Sequence, residues 1–264
     1  MAQRVALVTG GMGGLGEAIC MKLEKMGIKV VVTYSPGNTK HGDWLKEMEG
    51  QGHKFHAYPC DVSDFDSCQK MVAAVTKDHG PIDILINNAG VLDPLGKVWE
   101  TDPEQTGRLF DINLSGAYYC MRSVLPDMLK HGRGVIVNVS SGAATTVAPG
   151  WSVYASSKAG LDQLTRGVAI DLKGTAIRVY SLHPGLVDTR MQETLRSATP
   201  DQLLPDRRQF FVDQKEAGNV QSPEVPARTM LWLCSPQCDL ENGSVINLRT
   251  QPELREKIDR LLGG

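Results

Sequence analysis

The chain has 264 residues, of which 41% are hydrophobic and 22% charged, with a formal net charge of -2. This length allows one large α/β domain or two small ones, and the near-neutral balance gives no reason to expect nucleic acid or an anionic membrane as partner. The opening MAQRVALVTGG is too short for a signal-peptide core, no stretch reaches the length of a membrane span, and the six cysteines are scattered without a CxxC pair, so a reduced cytoplasmic protein is expected.

VALVT (5–9) predicts the first strand, which runs directly into TGGMGGLG (9–16) and a helix near 14–26. Glycine lets the backbone turn tightly against a ligand, and a helix N-terminus offers unpaired N–H groups to an anion. With Thr9, Gly10, Gly14 and Gly16 spaced as TGxxxGxG between strand and helix, the turn predicts a nucleotide phosphate site. KVVVTY (29–34) is the second strand, and YSPGNTKHGDWL reads as a long connection to the third, KFHAYPCDV (54–62). A helix near 64–79 leads to the fourth strand, IDILINNAG (82–90), and one helix is expected over 103–131. GVIVNVSS (134–141) is the fifth strand, followed by a helix at 154–173 with Leu161, Leu164, Val168 and Leu172 on one stripe. IRVYSLHPG (177–185) is the sixth. The polar, proline-punctuated segment 190–223 is too long for a plain connection and reads as a lid. A helix near 224–235, the strand SVINL (244–248) and an amphipathic tail helix at 251–264 complete the chain. Several strands are apolar without alternation, which suits parallel strands buried on both faces, and strand–helix alternation predicts one α/β domain over 1–264. His53 and His56 are too isolated to argue for a metal.

YASSK (154–158) sets Tyr154 and Lys158 four apart on one helix face. An ammonium close to a phenol favours the phenolate and draws its pKa of about 10 towards neutrality. The alternative is a core tyrosine beside a solvated lysine.

TGxxxGxG, then NNAG at 87–90, then a serine thirteen residues before YxxxK, resembles the short-chain dehydrogenase/reductase family over nearly the whole chain. The resemblance implies a doubly wound Rossmann fold with a seven-stranded parallel sheet, a nicotinamide cofactor across the C-terminal strand ends, and a homodimer or homotetramer. It implies cofactor contacts from Gly10, Met12, Gly13, Gly14, Leu15 and Gly16, from Tyr34, Ser35 and Lys40, and from Asp61 and Val62 at the adenine. Asn88, Ala89 and Gly90 would floor the ribose, and Pro184, Gly185, Val187 and Thr189 would meet the nicotinamide. Asp61 alternatively only starts a helix, and Asn87 or Asn88 only satisfies backbone groups. Asn113, Ser141, Tyr154 and Lys158 match the catalytic set. In that set Tyr154 gives its proton to a substrate carbonyl and Ser141 polarises it. Lys158 lowers the phenol pKa and holds the ribose, and Asn113 holds a water that relays protons.

An NAD-selective site usually carries an acid at the end of the second strand. This strand end has none before Asp43, while Lys40 can meet a 2′-phosphate or simply be a surface charge at a helix start, so NADP(H) is expected. The first ninety or so residues resemble acetoacetyl-CoA reductases of bacterial polyester synthesis. Beyond NNAG the chain departs from them, with TTVAPGWSVY before the tyrosine, Leu186 after Pro-Gly, and ENGSVINLRTQPELREKI at the end. This later part resembles other carbonyl reductases, through divergence or as a chimera. The expectation is reduction of an apolar ketone or a 3-oxo ester or thioester, beside Ser141, Trp151, Tyr154 and Leu186, with Trp151 alternatively a subunit-contact aromatic. Acetoacetyl-CoA is the alternative substrate. A non-catalytic NADP-binding sensor is a third reading, although such proteins usually lose the tyrosine or lysine kept here.

Overall fold

The aliphatic runs become seven strands in a computed structural model that describes residues 3–200 and 203–262. They are β1 Val5–Val8, β2 Lys29–Tyr34, β3 Phe55–Pro59, β4 Ile82–Asn87, β5 Gly134–Val139, β6 Ile177–His183 and β7 Val245–Asn247. All pairs are parallel, in the order β3-β2-β1-β4-β5-β6-β7. β4 and β5 are buried at every residue, which accounts for their lack of alternation. The order reverses between β1 and β4, and their C-terminal ends therefore open a crevice where an open α/β sheet places its ligand.

Helices cover both faces. α1 Gly14–Lys25 and α9 Glu224–Leu233 pack together on one, burying Ile19, Leu23, Met230 and Trp232. On the other, α3 Phe65–His79 and α5 Gly116–His131 bury Met71, Val72, Met121 and Val124, joined by α6 Ser152–Asp171 through Leu164 and Val168. Each such side chain removed from water contributes about 1.5–3 kcal/mol. All six cysteines are free buried thiols.

Three segments carry detail beyond the expectation. The connection after β2 contains a helix, α2 His41–Gly50, in which Met48 is the only fully buried residue. Its apolar stripe is thin, and it is held instead by Trp44, which stacks on Phe55 and donates Nε1–H to Glu17 at 2.6 Å. The helix expected at 103–131 runs continuously through α4 Pro103–Phe110, a π-helical turn at Asp111–Ser115, and α5. Such single-turn widenings cluster at functional sites, and this one carries Asn113. The segment 190–223 holds two helices, α7 Arg190–Ser197 and α8 Pro205–Glu216, so Pro205 opens a helix rather than breaking one. The tail forms α10 Pro252–Leu262, docked on α9 by buried Ile258 and an Arg228–Asp259 pair at 3.0 Å. The expected single domain, lid and tail also include residues 1, 2, 201, 202, 263 and 264, which lie outside the described residues.

Candidate active site

The glycine turn and the NNAG segment are locked to each other at the crevice. Thr9 is buried, and its Oγ1 accepts the backbone N–H groups of Asn88 and Ala89, both at 3.0 Å. Asn88 returns the contact, donating Nδ2–H to the carbonyls of Thr9 at 3.0 Å and Gly10 at 2.9 Å. Its side chain thus satisfies backbone, while that of Asn87 donates to the side-chain Oδ1 of Asn138 at 2.8 Å and to the Ala117 carbonyl at 3.4 Å. A Cβ on Gly16 would sit 2.5 Å from the Gly10 carbonyl oxygen and 2.8 Å from Asn88 Nδ2, so only glycine fits there. Met12 and Leu15 pack into the core below the turn. Gly13 precedes α1 with no side-chain cap, and a Cβ there would meet nothing within 4 Å. An uncapped helix N-terminus with open space at Gly13 fits the pyrophosphate of a dinucleotide.

At the end of β2, Tyr34 stacks flat on His41, with centroids 4.1 Å apart. His41 Nδ1 lies 2.9 Å from the Asn38 carbonyl, and Asn38 Oδ1 accepts the Lys40 N–H at 2.9 Å. Ser35 and Lys40 are exposed. His41 completes this corner and was not anticipated, because it was read as part of an irregular connection. Asp61 Oδ1 accepts from the backbone N–H of Ser63 at 3.0 Å and from its hydroxyl at 2.6 Å, while Val62 packs beneath Gly116.

The Ser–Tyr–Lys group assembles where β5 ends and α6 begins. Lys158 is buried, donates Nζ–H to the Val139 carbonyl at 2.9 Å, and lies 5.9 Å from the Tyr154 ring centroid. Ser141 Oγ accepts the Ala143 N–H at 3.2 Å and faces the Tyr154 hydroxyl. Burial pushes the Tyr154 phenol above its ordinary pKa, and only the Ser141 hydroxyl works against that rise. The expected drop towards neutrality is therefore corrected: the ammonium is turned to a carbonyl behind the ring, and desolvation wins. Burial pushes Lys158 down to about 8, opposed by the negative charge of Asp162.

Asp162, one turn beyond Lys158, is buried and was not singled out from the sequence. It accepts from Ser181 Oγ at 2.6 Å and lies 2.7 Å from His183 Nε2. Burial works to raise its pKa, but hydrogen bonds from His183 and Ser181 outweigh it and hold the carboxyl below the usual range. Its spacing of four from Lys158 was the available signal.

Asn113 is 2% exposed. Its Oδ1 accepts the Val91 N–H at 2.8 Å, and its two amide hydrogens go to the Val91 carbonyl at 2.9 Å and Ser157 Oγ at 3.2 Å. The side chain fixes the chain just past Gly90, with both amide hydrogens used inside the protein.

The segment after β6 is tied at one point. Gln221 donates its N–H to the Leu186 carbonyl at 2.8 Å, accepts from Asp188 N at 2.9 Å, and reaches the Pro184 carbonyl with its side chain. Val187 is bridged to Gln221, and Thr189 precedes α7 close to Gly14. Beyond it, Leu195, Leu203 and Phe211 bury against Trp151 and Tyr154, with Leu186 packed alongside. Trp151 is 7% exposed, edge-on to Tyr154 at 5.5 Å and 5.7 Å from Phe211. It is enclosed by residues of its own chain.

A family model described as short chain dehydrogenase matches residues 4–200. A nodulation protein G from Azospirillum brasilense is 34% identical over 248 residues, covering 94% of this chain and 97% of the relative. An acetoacetyl-CoA reductase from Cupriavidus necator is 31% identical over 250 residues, covering 94% and 97%. That likeness runs through nearly the whole chain and does not stop at NNAG. A crystal structure of an actinorhodin polyketide ketoreductase variant with NADPH superposes with a TM-score of 0.85 at 29% identity, covering 94% of this chain and 97% of that one. With its sheet order, glycine turn and YxxxK segment all inside the matched region or aligned with these relatives, the chain belongs to the short-chain dehydrogenase/reductase family.

Proposed function

We propose that this protein is an NADPH-dependent ketoreductase acting on a ketone with an apolar flank, such as a 3-oxo ester or thioester. The observation that carries this reading is the convergence of Ser141, Tyr154 and Lys158 at the crevice, with the phenol facing the serine and the lysine behind the ring. Bound nicotinamide supplies the hydride. Tyr154, kept protonated at neutral pH by burial, donates its proton to the carbonyl oxygen as charge develops there. Ser141 holds the same oxygen and stabilises the developing oxyanion. Lys158, brought close to neutrality, resupplies the proton lost by the phenol. Asn113 keeps the floor at Gly90 and Val91 in register with that lysine.

The glycine turn would hold the pyrophosphate, and Tyr34, Ser35, Lys40 and His41 the adenosine end. Asp61 and Val62 would meet the adenine, and the Pro184–Thr189 segment the nicotinamide. Residues 190–223 act as the lid. In this reading the protein works in the cytoplasm as a homodimer or homotetramer, and the change of character after NNAG is divergence within one lineage. Support for NADPH comes from the carboxylate-free end of β2, where Lys40 is exposed and free to meet a 2′-phosphate. The test compares kcat/KM for NADPH and NADH at fixed ketone. Lys40→Ala is expected to weaken NADPH alone, by up to about tenfold for so exposed a lysine. Equal wild-type values for the two cofactors would remove the NADPH assignment.

Acetoacetyl-CoA is the second reading, favoured by the nearly full-length match to acetoacetyl-CoA reductases. A panel containing acetoacetyl-CoA and simple ketones decides between them, since the first reading expects similar kcat/KM across several hydrophobic ketones. Trp151→Ala is expected to shift preference towards bulkier ketones at a cost of about 3–5 kcal/mol in stability. Thermal unfolding and the same panel read both effects.

A further inference from the structure

Arg207, in the first turn of α8, is the one guanidinium set on the aromatic cluster around Tyr154 among the described residues. Its Cζ lies 5.6 Å from the Trp151 ring centroid, 4.9 Å from that of Phe210 and 5.6 Å from that of Phe211. Trp151 in turn touches Tyr154, so the cation stands two ring contacts from the proposed acid. Aromatic faces attract a guanidinium but accept none of its five N–H bonds in the way a carboxylate does. Among the described residues no carboxylate pairs with Arg207, and its Nε is buried without an acceptor. Arg207 is half-buried, so part of the residue is still open to solvent.

We propose that Arg207 is a specificity residue that binds a carboxylate on the ketone substrate. A planar fork of donors held flat by three rings matches a carboxylate bidentately, and the rings keep it dehydrated and oriented. The proposed ketone class then narrows to oxo acids, whose reacting carbonyl and apolar flank lie at Tyr154 and whose carboxylate meets Arg207. This rests on the reading of the cleft at Tyr154 as the ketone site.

Acetoacetate and ethyl acetoacetate share one reacting ketone and differ in charge, which makes them the probes. Wild-type protein is expected to favour acetoacetate. Arg207→Met, which keeps the apolar stem, is expected to lower kcat/KM for acetoacetate by about tenfold to a hundredfold and to leave the ester within about twofold. Arg207→Lys should retain part of the preference, because it keeps the charge and loses the fork. Acetoacetate should also raise the Tm of the wild type and not that of Arg207→Met. Equal losses on acid and ester, or no loss on the acid, would make Arg207 merely a staple for α8 and overturn the proposal. Reduction of neither compound by wild-type protein would overturn the ketoreductase reading instead, and the Tm comparison would still decide the carboxylate site.

Discussion

Tyr154→Phe is expected to cut turnover by about a hundredfold to ten-thousandfold, the range for loss of a positioned general acid. The substitution removes one oxygen and leaves a ring of the same shape edge-on to Trp151. No core contact is lost, and the hydroxyl's hydrogen-bonding partner, Ser141, keeps its bond from Ala143. The fold and the affinity for NADPH should therefore stay close to wild type. Single-turnover rates at saturating NADPH measure the first effect, and fluorescence titration of the cofactor measures the second. Retention of more than a few per cent of turnover would show that the proton comes from elsewhere.

The second large effect is expected at Asp162. Its carboxylate is the negative charge beside two buried titratable side chains, Lys158 and His183. Removing one partner of a buried charge set typically costs about 3–5 kcal/mol, because the remaining charge is left uncompensated. Asp162→Asn keeps the shape and should lose most of that, with Tm falling accordingly. The pH dependence follows from the direction of each shift. Lys158 is depressed from 10.5 to about 8, so its burial cost is present in full below pH 8 and is relieved as pH rises towards 10.5. Asp162 is also held below its ordinary value, so the stability it contributes is present above that value and is lost as pH falls through the folded pKa. Without the Asp162 charge, Lys158 should titrate lower still. If protonated Lys158 resupplies the phenol, the alkaline limb of kcat in Asp162→Asn moves to lower pH. An unmoved limb, measured alongside an intact circular dichroism spectrum, would separate the aspartate from the lysine.

Much of this arrangement was legible in the residues. Runs such as IDILIN and GVIVNV have no polar face to offer solvent, so they had to be interior parallel strands. The glycine turn was equally plain, since a side chain at Gly16 would collide with the backbone of Gly10. What stayed hidden was set by contacts that periodicity does not encode. α2 buries one methionine and leans on Trp44, so its stripe was too faint to see. The π-helical turn at DINLS has no compositional mark, and it carries the Asn113 side chain that reaches Val91. Asp162 and His183 are distant in sequence and meet only because α6 lies across β6. The sign of the Tyr154 shift depended on the depth of burial and the direction of the Lys158 ammonium, neither of which a pentapeptide records.

The single bridge between Val187 and Gln221 has a consequence for how such a protein can change. Both ends of the excursion carrying α7 and α8 are clamped at that bridge, beside the crevice and outside the seven-stranded sheet. Changes between those two anchors leave strand register alone, but they rebuild the wall of Leu195, Leu203 and Phe211 against which Trp151 and Tyr154 pack. The shape of the cleft beside Tyr154 can thereby be rewritten in one stretch of chain, while the sheet that carries the rest of the site is inherited unchanged.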